Sequence, residues 1–192
     1  MNKKHLRRYY KDMRSQLTPQ QINSLDDLLL IQFQKLPIHI PALIMTYAPL
    51  SKLNEFNPQL ITDYCYFKNP NQQLLYPLMY EVENENEMIA VLVNDETVFE
   101  QNEWGIDEPA DGFDVEPSAI DMVIVPLLSF DTSGYRVGYG KGYYDRFLKH
   151  CRPNCIKVGF SYFDPVPKIE DIGEHDVRLD YCITHERIYE FE

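Results

Sequence analysis

Positive charge is what this chain has least of. Its 192 residues carry 18 Lys and Arg against 30 Asp and Glu, a formal charge of −12. That balance argues against general binding to nucleic acid or to anionic membranes, both of which need a basic surface. A phosphate site here must gather its cations locally. Cysteine is sparse too. Cys65, Cys151, Cys155 and Cys182 form no C-x-x-C pair, which speaks against structural zinc. Cys151 and Cys155 are four apart, a helical spacing that Pro153 interrupts. No apolar run is long enough to cross a bilayer and no signal segment is evident, so reduced thiols in a cytoplasmic protein are expected. Internal repeats and low-complexity linkers are also missing. The remaining composition suits one soluble domain, 1–192, large enough to bury a core.

Glycine is scarce as well, at 8 residues, yet Gly134, Gly138, Gly140 and Gly142 crowd into one stretch. That stretch, Val123 to Phe147, organises the chain. Met122, Val123, Ile124 and Val125 are a short apolar run that suits a buried strand, and Pro126 ends it. Arg136 to Gly142 then leads into Tyr143, Tyr144, Asp145 and Arg146, which read as the start of a helix. Glycines let a backbone approach a ligand closely. Free amides running into a helix N-terminus attract anions. Arg136 and Lys141 add positive charge, and Asp145 adds a carboxylate, so the pattern predicts a polyphosphate with magnesium. Two familiar phosphate loops do not fit: Gly142 stands where a Walker loop needs Ser or Thr, and the spacing misses G-x-G-x-x-G. The plainer alternative is a glycine-rich turn with tyrosines packed on it.

Elsewhere the pattern alternates helices and strands. Leu6, Tyr9, Tyr10 and Met13 recur at helical spacing among Lys3, Lys4, Arg7, Arg8, Lys11 and Arg14, a basic amphipathic helix whose plain reading is a solvated face. Asp12 and the scarcity of serine make a mitochondrial presequence a poor fit. Thr18-Pro19-Gln20-Gln21 predicts a capped helix start. Ala42–Tyr47 reads as a strand, Asn57-Pro58 as the start of a helix to about Phe67, and Leu74–Tyr76 as a strand ending at Pro77. The acids Glu81, Glu83, Glu85 and Glu87 predict a solvated turn before a strand from Met88 to Val93. Trp104 is expected to pin a long polar loop to the core, with stacking on a flat heterocycle as the alternative. Ile156–Phe160 and Tyr181–Thr184 read as the last strands, and His175 between them is expected to be structural or solvated.

Val-Pro-x-Leu-x-Phe-Asp at 125–131 and Gly-Tyr-Arg-Val-Gly-Tyr-Gly-Lys-Gly-Tyr-Tyr-Asp-Arg at 134–146 resemble the signature of the 5-formyltetrahydrofolate cyclo-ligases, or methenyltetrahydrofolate synthetases. The likeness continues in Trp104-Gly105-Ile106-x-x-Pro109, in Asn54-Glu55-Phe56, in a Lys-x-x-x-Arg element near the start and in His175-Asp176-Val177 near the end. It departs at Leu78 and Leu127, where the family often has arginine and glycine. The resemblance implies a three-layer α/β/α sandwich with a largely parallel, Rossmann-like sheet. It implies an ATP- and magnesium-dependent ligase that converts 5-formyltetrahydrofolate to 5,10-methenyltetrahydrofolate through a phosphorylated formyl group and acts as a monomer. Lys3 and Arg7 would contact ATP, with Lys4 and Arg8 as the alternative. Arg136, Val137, Gly138, Tyr139, Gly140, Lys141, Gly142, Tyr143 and Tyr144 would hold the triphosphate, with Lys141 and Arg136 as the catalytic cations. Glu55, Tyr139, Gly140, Lys141, Gly142 and Tyr143 would meet the folate. Asp145 and Asp176 would hold magnesium, with Asp180 as second choice. Two other classes compete: a nucleotide-binding module without catalysis, and a sugar-phosphate isomerase or acyl-transfer enzyme that needs no ATP.

Overall fold

A computed structural model of the protein describes residues 1–83 and 85–191. Two helices open the chain. In α1 (Lys3–Ser15) the Asn2 side chain caps the first turn by accepting the His5 N–H. In α2 (Pro19–Phe33) Thr18 and Gln21 form the reciprocal capping box that the sequence predicts. The strands follow as β1 (Leu43–Met45), β2 (Gln73–Val82), β3 (Glu85–Val93), β4 (Phe99–Gln101), β5 (Asp107–Pro109), β6 (Asp114–Val115), β7 (Met122–Val125), β8 (Ser129–Phe130), β9 (Arg136–Val137), β10 (Ile156–Phe160), β11 (Tyr181–Ile183) and β12 (Ile188–Glu190). Between them lie α3 (Gln59–Lys68) and α4 (Tyr143–Leu148).

Eight strands form one sheet in the order β12-β11-β10-β7-β1-β2-β3-β6. The contiguous run β11-β10-β7-β1-β2 is parallel; β12 and β3 flank it antiparallel, and β6 pairs antiparallel with β3 at the edge. Numbered among themselves in chain order, the parallel strands run 2-1-3-4-5. This is the flavodoxin-like member of the doubly wound folds, and its order reverses between β1 and β7. The central strands are buried on both faces, and their side chains alternate between two cores. Ile44, Met122 and Ile124 pack with Leu29, Phe33, Ile61 and Cys65 from α2 and α3. Met45, Val123 and Val125 pack with Tyr143, Phe147 and Leu148 from α4. These are the three layers. Leu6 and Tyr10 of α1 pack in a third cluster with Leu128, Val137 and Ile169. That contact carries the basic helix onto the sheet's carboxyl end.

Two expectations need correcting. β2 does not end at Pro77 but runs on to Val82, paired with β3, with Pro77 opposite Ala90. The Met79 N–H points away from β3, to Glu108 Oε1 at 3.2 Å. Residues two apart direct their N–H the same way, so the N–H that proline lacks is also on the side away from β3. The acidic stretch is likewise no plain turn: Glu81 and Glu87 belong to the paired strands, with Glu83 at the bend in a left-handed conformation (φ 51°). Asn84 lies outside the described residues.

Candidate active site

A cavity of about 850 Å³ opens at the carboxyl ends of β1 and β7, at the point where the strand order reverses. Ligands of open α/β sheets bind at this kind of crevice, and the volume suits a cofactor-sized ligand. The loop after β1 supplies Tyr47, Leu50, Lys52 and Glu55, and β2 supplies Pro77 and Met79. α1 contributes Lys3 and Arg7, and the segment before β11 contributes Asp176. Arg136, Gly138, Tyr139, Gly140, Lys141, Gly142, Tyr143, Tyr144 and Asp145 line the rest. Of the site residues preferred in the sequence, Val137 is the one off the wall, with its side chain buried against α1. The alternatives also separate: Lys3 and Arg7 line the cavity, whereas Lys4 and Arg8 are exposed outside it. Asp180 is away from it, paired with Lys157 Nζ at 2.8 Å.

The glycine loop is held at both ends. Before it, Asp131 Oδ1 accepts the N–H groups of Ser133 and Tyr135, both at 3.0 Å, and fixes the β8–β9 turn. After it, the Lys141 carbonyl accepts from Arg146 Nη2 at 2.9 Å and from Asn86 Nδ2 at 3.1 Å. Arg146 Nε also donates to the Asn86 carbonyl at 2.7 Å, which pins the loop to β3. The glycines differ in kind. Gly140 (φ +98°) and Gly142 (φ +79°) hold a left-handed backbone that disfavours side chains, while a Cβ on Gly138 would meet nothing within 4 Å. The helix after the loop has only six residues and begins at Gly142 without a side-chain cap. A macrodipole so short adds little, so attraction for an anion falls to the side-chain cations.

Those cations are gathered as the net charge of the chain requires. Arg7 Nε donates to the Gly138 carbonyl at 2.9 Å, and its guanidinium faces Gly140. Lys141 Nζ lies 5.6 Å from the centre of the Trp104 ring. Trp104 meets Tyr143 edge-on with ring centres 6.0 Å apart and stays 38% exposed. It therefore stands at the cavity rim and does not pin its loop to the core. The β4–β5 hairpin presents it there instead. His175 is exposed, with Nδ1 2.7 Å from Lys149 Nζ, in line with a solvated histidine.

Each acid expected at a metal has a cationic partner. Asp145 Oδ1 pairs with Arg136 Nη2 at 3.0 Å and accepts the Val177 N–H at 3.0 Å. Asp176 takes Lys3 Nζ on Oδ1 at 2.6 Å and on Oδ2 at 2.5 Å, and the Gly173 N–H on Oδ2 at 2.6 Å. Burial pushes the Asp176 carboxyl up, but Lys3 and the Gly173 amide outweigh it and hold it below its ordinary value. Among the described residues no three His, Cys, Asp or Glu side chains gather as a metal cage. Magnesium needs no such cage: one or two carboxylates with phosphate oxygens and water suffice. The donor set fits on that basis, because Asp145 Oδ2 makes no hydrogen bond among the described residues.

The deeper wall is polar and incompletely paired. Glu55 is buried; its Oε2 accepts the Leu50 N–H at 2.8 Å, while Oε1 is buried with no partner among the described residues. Burial pushes this carboxyl up from its ordinary value, against the Leu50 amide, the Arg14 charge and the nearby Tyr139 hydroxyl, which lower it. The Tyr144 hydroxyl is also buried without a partner. Buried polar atoms left open on a cavity wall are positions a ligand can satisfy. Sequence reasoning gave no role to Arg14, Lys52, Asn86 or Arg146. Arg146 lay inside the signature, but the others carried no signal that spacing could separate from surface polarity. At the two departures the structure shows where each leucine sits. Leu127 fills the space over Gly159, where a Cβ would lie 2.5 Å from Leu127 Cδ2, and Leu78 pairs with Ile89 in the β2–β3 ladder.

The chain is similar to known proteins in both sequence and fold. Over 82 residues, 42% of this chain, the sequence is 39% identical to the 5-formyltetrahydrofolate cyclo-ligase of Mycoplasma pneumoniae, matching 48% of that protein. It is 32% identical over 109 residues to the Mus musculus 5-formyltetrahydrofolate cyclo-ligase, covering 50% of this chain and 52% of that one. The matched stretches thus span about half the length of these curated relatives. The solved structure of Aquifex aeolicus 5,10-methenyltetrahydrofolate synthetase superposes with a TM-score of 0.79 at 26% identity, covering 100% of this chain and 94% of that one. The sequence model of the 5-formyltetrahydrofolate cyclo-ligase family matches residues 2–185, nearly the whole length, and the chain belongs to that family.

Proposed function

We propose that this chain converts 5-formyltetrahydrofolate to 5,10-methenyltetrahydrofolate, consuming ATP and releasing ADP and phosphate. One observation carries the reading: a single cavity joins a cation-lined glycine loop to a deeper wall with a buried, half-open carboxylate at Glu55. A formyl group on nitrogen is amide-like, and its oxygen is a poor leaving group. In the proposed sequence that oxygen attacks the terminal phosphorus of ATP and ADP departs. Nitrogen 10 of the folate then attacks the activated carbon and gives up its proton, to the phosphate or to water, the carbon–oxygen bond breaks, and phosphate leaves with the oxygen. Both steps need alignment and charge neutralisation more than covalent help from the protein.

The residues divide accordingly. Lys3 and Arg7 would clamp the outer phosphates from α1. The Gly138–Gly142 backbone would pass beside the triphosphate, and Lys141 would meet the charge that develops on the transferring group. Arg136, fixed by Asp145 and the Val177 carbonyl, would keep that carboxylate in place. Asp145 and Asp176 would hold magnesium, which when bound neutralises phosphate oxygens. Glu55 would orient the pterin, with Tyr139 and Tyr143 as side walls. We further propose that the chain works as one domain, as a monomer and in the cytoplasm. Its four cysteines are free thiols, and no helix among the described residues is long and apolar enough to cross a membrane.

Purified protein mixed with 5-formyltetrahydrofolate, ATP and magnesium should develop the methenyl chromophore and release one ADP per product. Product formed at the same rate without ATP, or no product under these conditions, would reject the reading.

A further inference from the structure

Beneath the glycine loop sits a charge that this chemistry leaves unexplained. Arg14, in the last turn of α1, is 1% exposed. A guanidinium is a cation, and taking an ion out of water is costly unless its charge is met nearby. Every hydrogen-bond partner it has among the described residues is neutral. Nη2 donates to the Leu127 carbonyl and Nη1 donates to the Tyr139 hydroxyl at 3.2 Å, while Nε is buried without a partner. Leu6 and Tyr10 occupy the inward face of the same helix, so an apolar residue at position 14 would serve packing alone.

The acid that faces this cation is Glu55. The two are tied through the backbone: Asn54 Nδ2 donates to the Arg14 carbonyl at 2.8 Å, and Asn54 adopts a left-handed conformation (φ 48°). Tyr47, Tyr139 and Tyr162 lie in the field of both charges, Tyr162 in that of Asp26 as well, and Tyr144 lies in the field of Glu55, Arg136 and Glu108. Tyrosines are neutral at ordinary pH, and burial keeps these more so. Arg14 is therefore the positive charge that, with the Leu50 amide and the Tyr139 hydroxyl, partly offsets the burial of Glu55.

We propose that Arg14 is a positioning residue for the folate: from behind the cavity wall it aims the Tyr139 hydroxyl and supplies the counter-charge of Glu55, leaving Glu55 Oε1 open to accept an N–H of the pterin. This rests on the reading of Glu55 as the acid that orients the pterin. The 2-amino-4-oxo edge of a pterin presents N–H donors, which an ionised carboxylate accepts and a protonated one meets with a donor of its own. Arg14 touches neither substrate in this arrangement. Its effect reaches the ligand through Glu55 and Tyr139.

The test compares Arg14→Gln, Arg14→Lys and Glu55→Gln with the parent enzyme, following KM for each substrate and the pH dependence of kcat/KM for folate. Arg14→Gln should raise the folate KM by about tenfold, leave the ATP KM within about threefold, and move the acid limb to higher pH because Glu55 loses its counter-charge. Arg14→Lys restores the charge without the two-point grip. Its acid limb should stay where the parent's lies while the folate KM still rises. Should Arg14→Gln not fold, Arg14→Lys carries the test alone: a displaced limb or an unchanged folate KM overturns the proposal. Equal losses for both substrates, or a fixed limb in Arg14→Gln, likewise make Arg14 a packing residue only. Glu55→Gln separates the two readings. If it binds folate like the parent, the Glu55 reading itself fails. If it weakens folate binding while Arg14→Gln leaves the limb in place, only the role of Arg14 is lost.

Discussion

Lys3 and Asp176 are 173 residues apart in the chain, yet Lys3 Nζ lies 2.6 and 2.5 Å from the two oxygens of the Asp176 carboxylate. Both side chains are largely shielded from water, at 17% and 14% exposure, and both line the cavity. The contact couples the basic helix to the acid proposed for magnesium.

The folded-state pKa of Asp176 is depressed, so its pairing stabilises the protein above the ordinary carboxylate value of 3.8 and is lost as pH falls through the lower folded value. In Lys3→Met the carboxyl titration midpoint, followed by carbon NMR, should rise relative to the parent. ATP affinity should fall by about tenfold, the order expected for one charge-assisted hydrogen bond, with folate affinity little changed. An unmoved midpoint would show that the Gly173 amide alone holds the carboxyl down.

The glycines of the loop give a second expectation, because they are not equivalent. Gly138 is free of positive φ and has open space where a Cβ would go. Gly138→Ala should therefore leave stability within about 0.5 kcal/mol and weaken ATP binding, since the added methyl enters the proposed phosphate path. Gly140→Ala should lower stability by about 1–3 kcal/mol from strain at φ +98° and push the Arg7 guanidinium, 3.1 Å from the new Cβ. Calorimetry with ATP decides. Normal binding by Gly138→Ala would make this stretch a tight turn and move the phosphates elsewhere.

Much of this arrangement was legible in the sequence. The run Met122–Val125 read as a buried strand because all four residues are apolar, and the glycines, Lys141 and Asp145 marked the loop. The 2-1-3-4-5 order was not legible, since strand neighbours depend on long-range pairing that period and propensity do not encode. Pro77 misled because proline usually ends a strand, and only the Met79–Glu108 bond reveals that its bare nitrogen faces away from β3. Arg14 read as one more cation on a solvated face. Its burial depends on Leu127 and Tyr139 arriving from over a hundred residues away. Trp104 was expected to pin its loop to the core, and the β4–β5 hairpin instead carries it to the cavity rim.

Asp145→Asn has a double consequence. Arg136 is 4% exposed at its side chain and pairs with Asp145, so the variant leaves a buried cation facing a neutral amide. Stability should fall by about 1–3 kcal/mol on denaturant unfolding, because Asn retains the acceptor and loses the charge. If Asp145 also holds magnesium, the magnesium concentration for half-maximal turnover should rise at least about tenfold. A stability loss with an unchanged magnesium requirement would limit Asp145 to holding Arg136.

A pH effect on stability is expected from a carboxyl that does not line the cavity. Burial pushes the Asp26 carboxyl up from 3.8 to about 6, despite the Tyr162 hydroxyl that donates to it at 2.8 Å. A raised folded-state value means that the folded form binds the extra proton. Stability attributable to this group therefore declines as pH rises from 3.8 to about 6 and stays at its low level above that. Asp26→Asn keeps an acceptor for Tyr162 and removes the charge. It should raise Tm at pH 8 and change it little at pH 4, where the parent carboxyl is already protonated when folded. Equal effects at the two pH values would mean that Asp26 titrates normally.

The pairing of Lys141 with Trp104 yields the last expectation. Lys141 is exposed, and its ammonium lies over the ring of the chain's one tryptophan at 5.6 Å. An exposed cation over an aromatic face gains only about 0.5–1 kcal/mol, so a phosphate can draw it away at little cost. ATP binding should therefore change Trp104 emission as the ammonium leaves the ring, and Lys141→Ala should abolish that change. In the same variant ATP binding should weaken modestly, because Arg7 and Lys3 remain. Turnover should fall further, by about a hundredfold or more, because the Lys141 charge matters most as the phosphoryl group transfers. The comparison of Kd with kcat is decisive: equal losses would mean that Lys141 only helps to hold ATP. A parent emission that ATP leaves unchanged would keep Lys141 on the Trp104 ring and away from the phosphates.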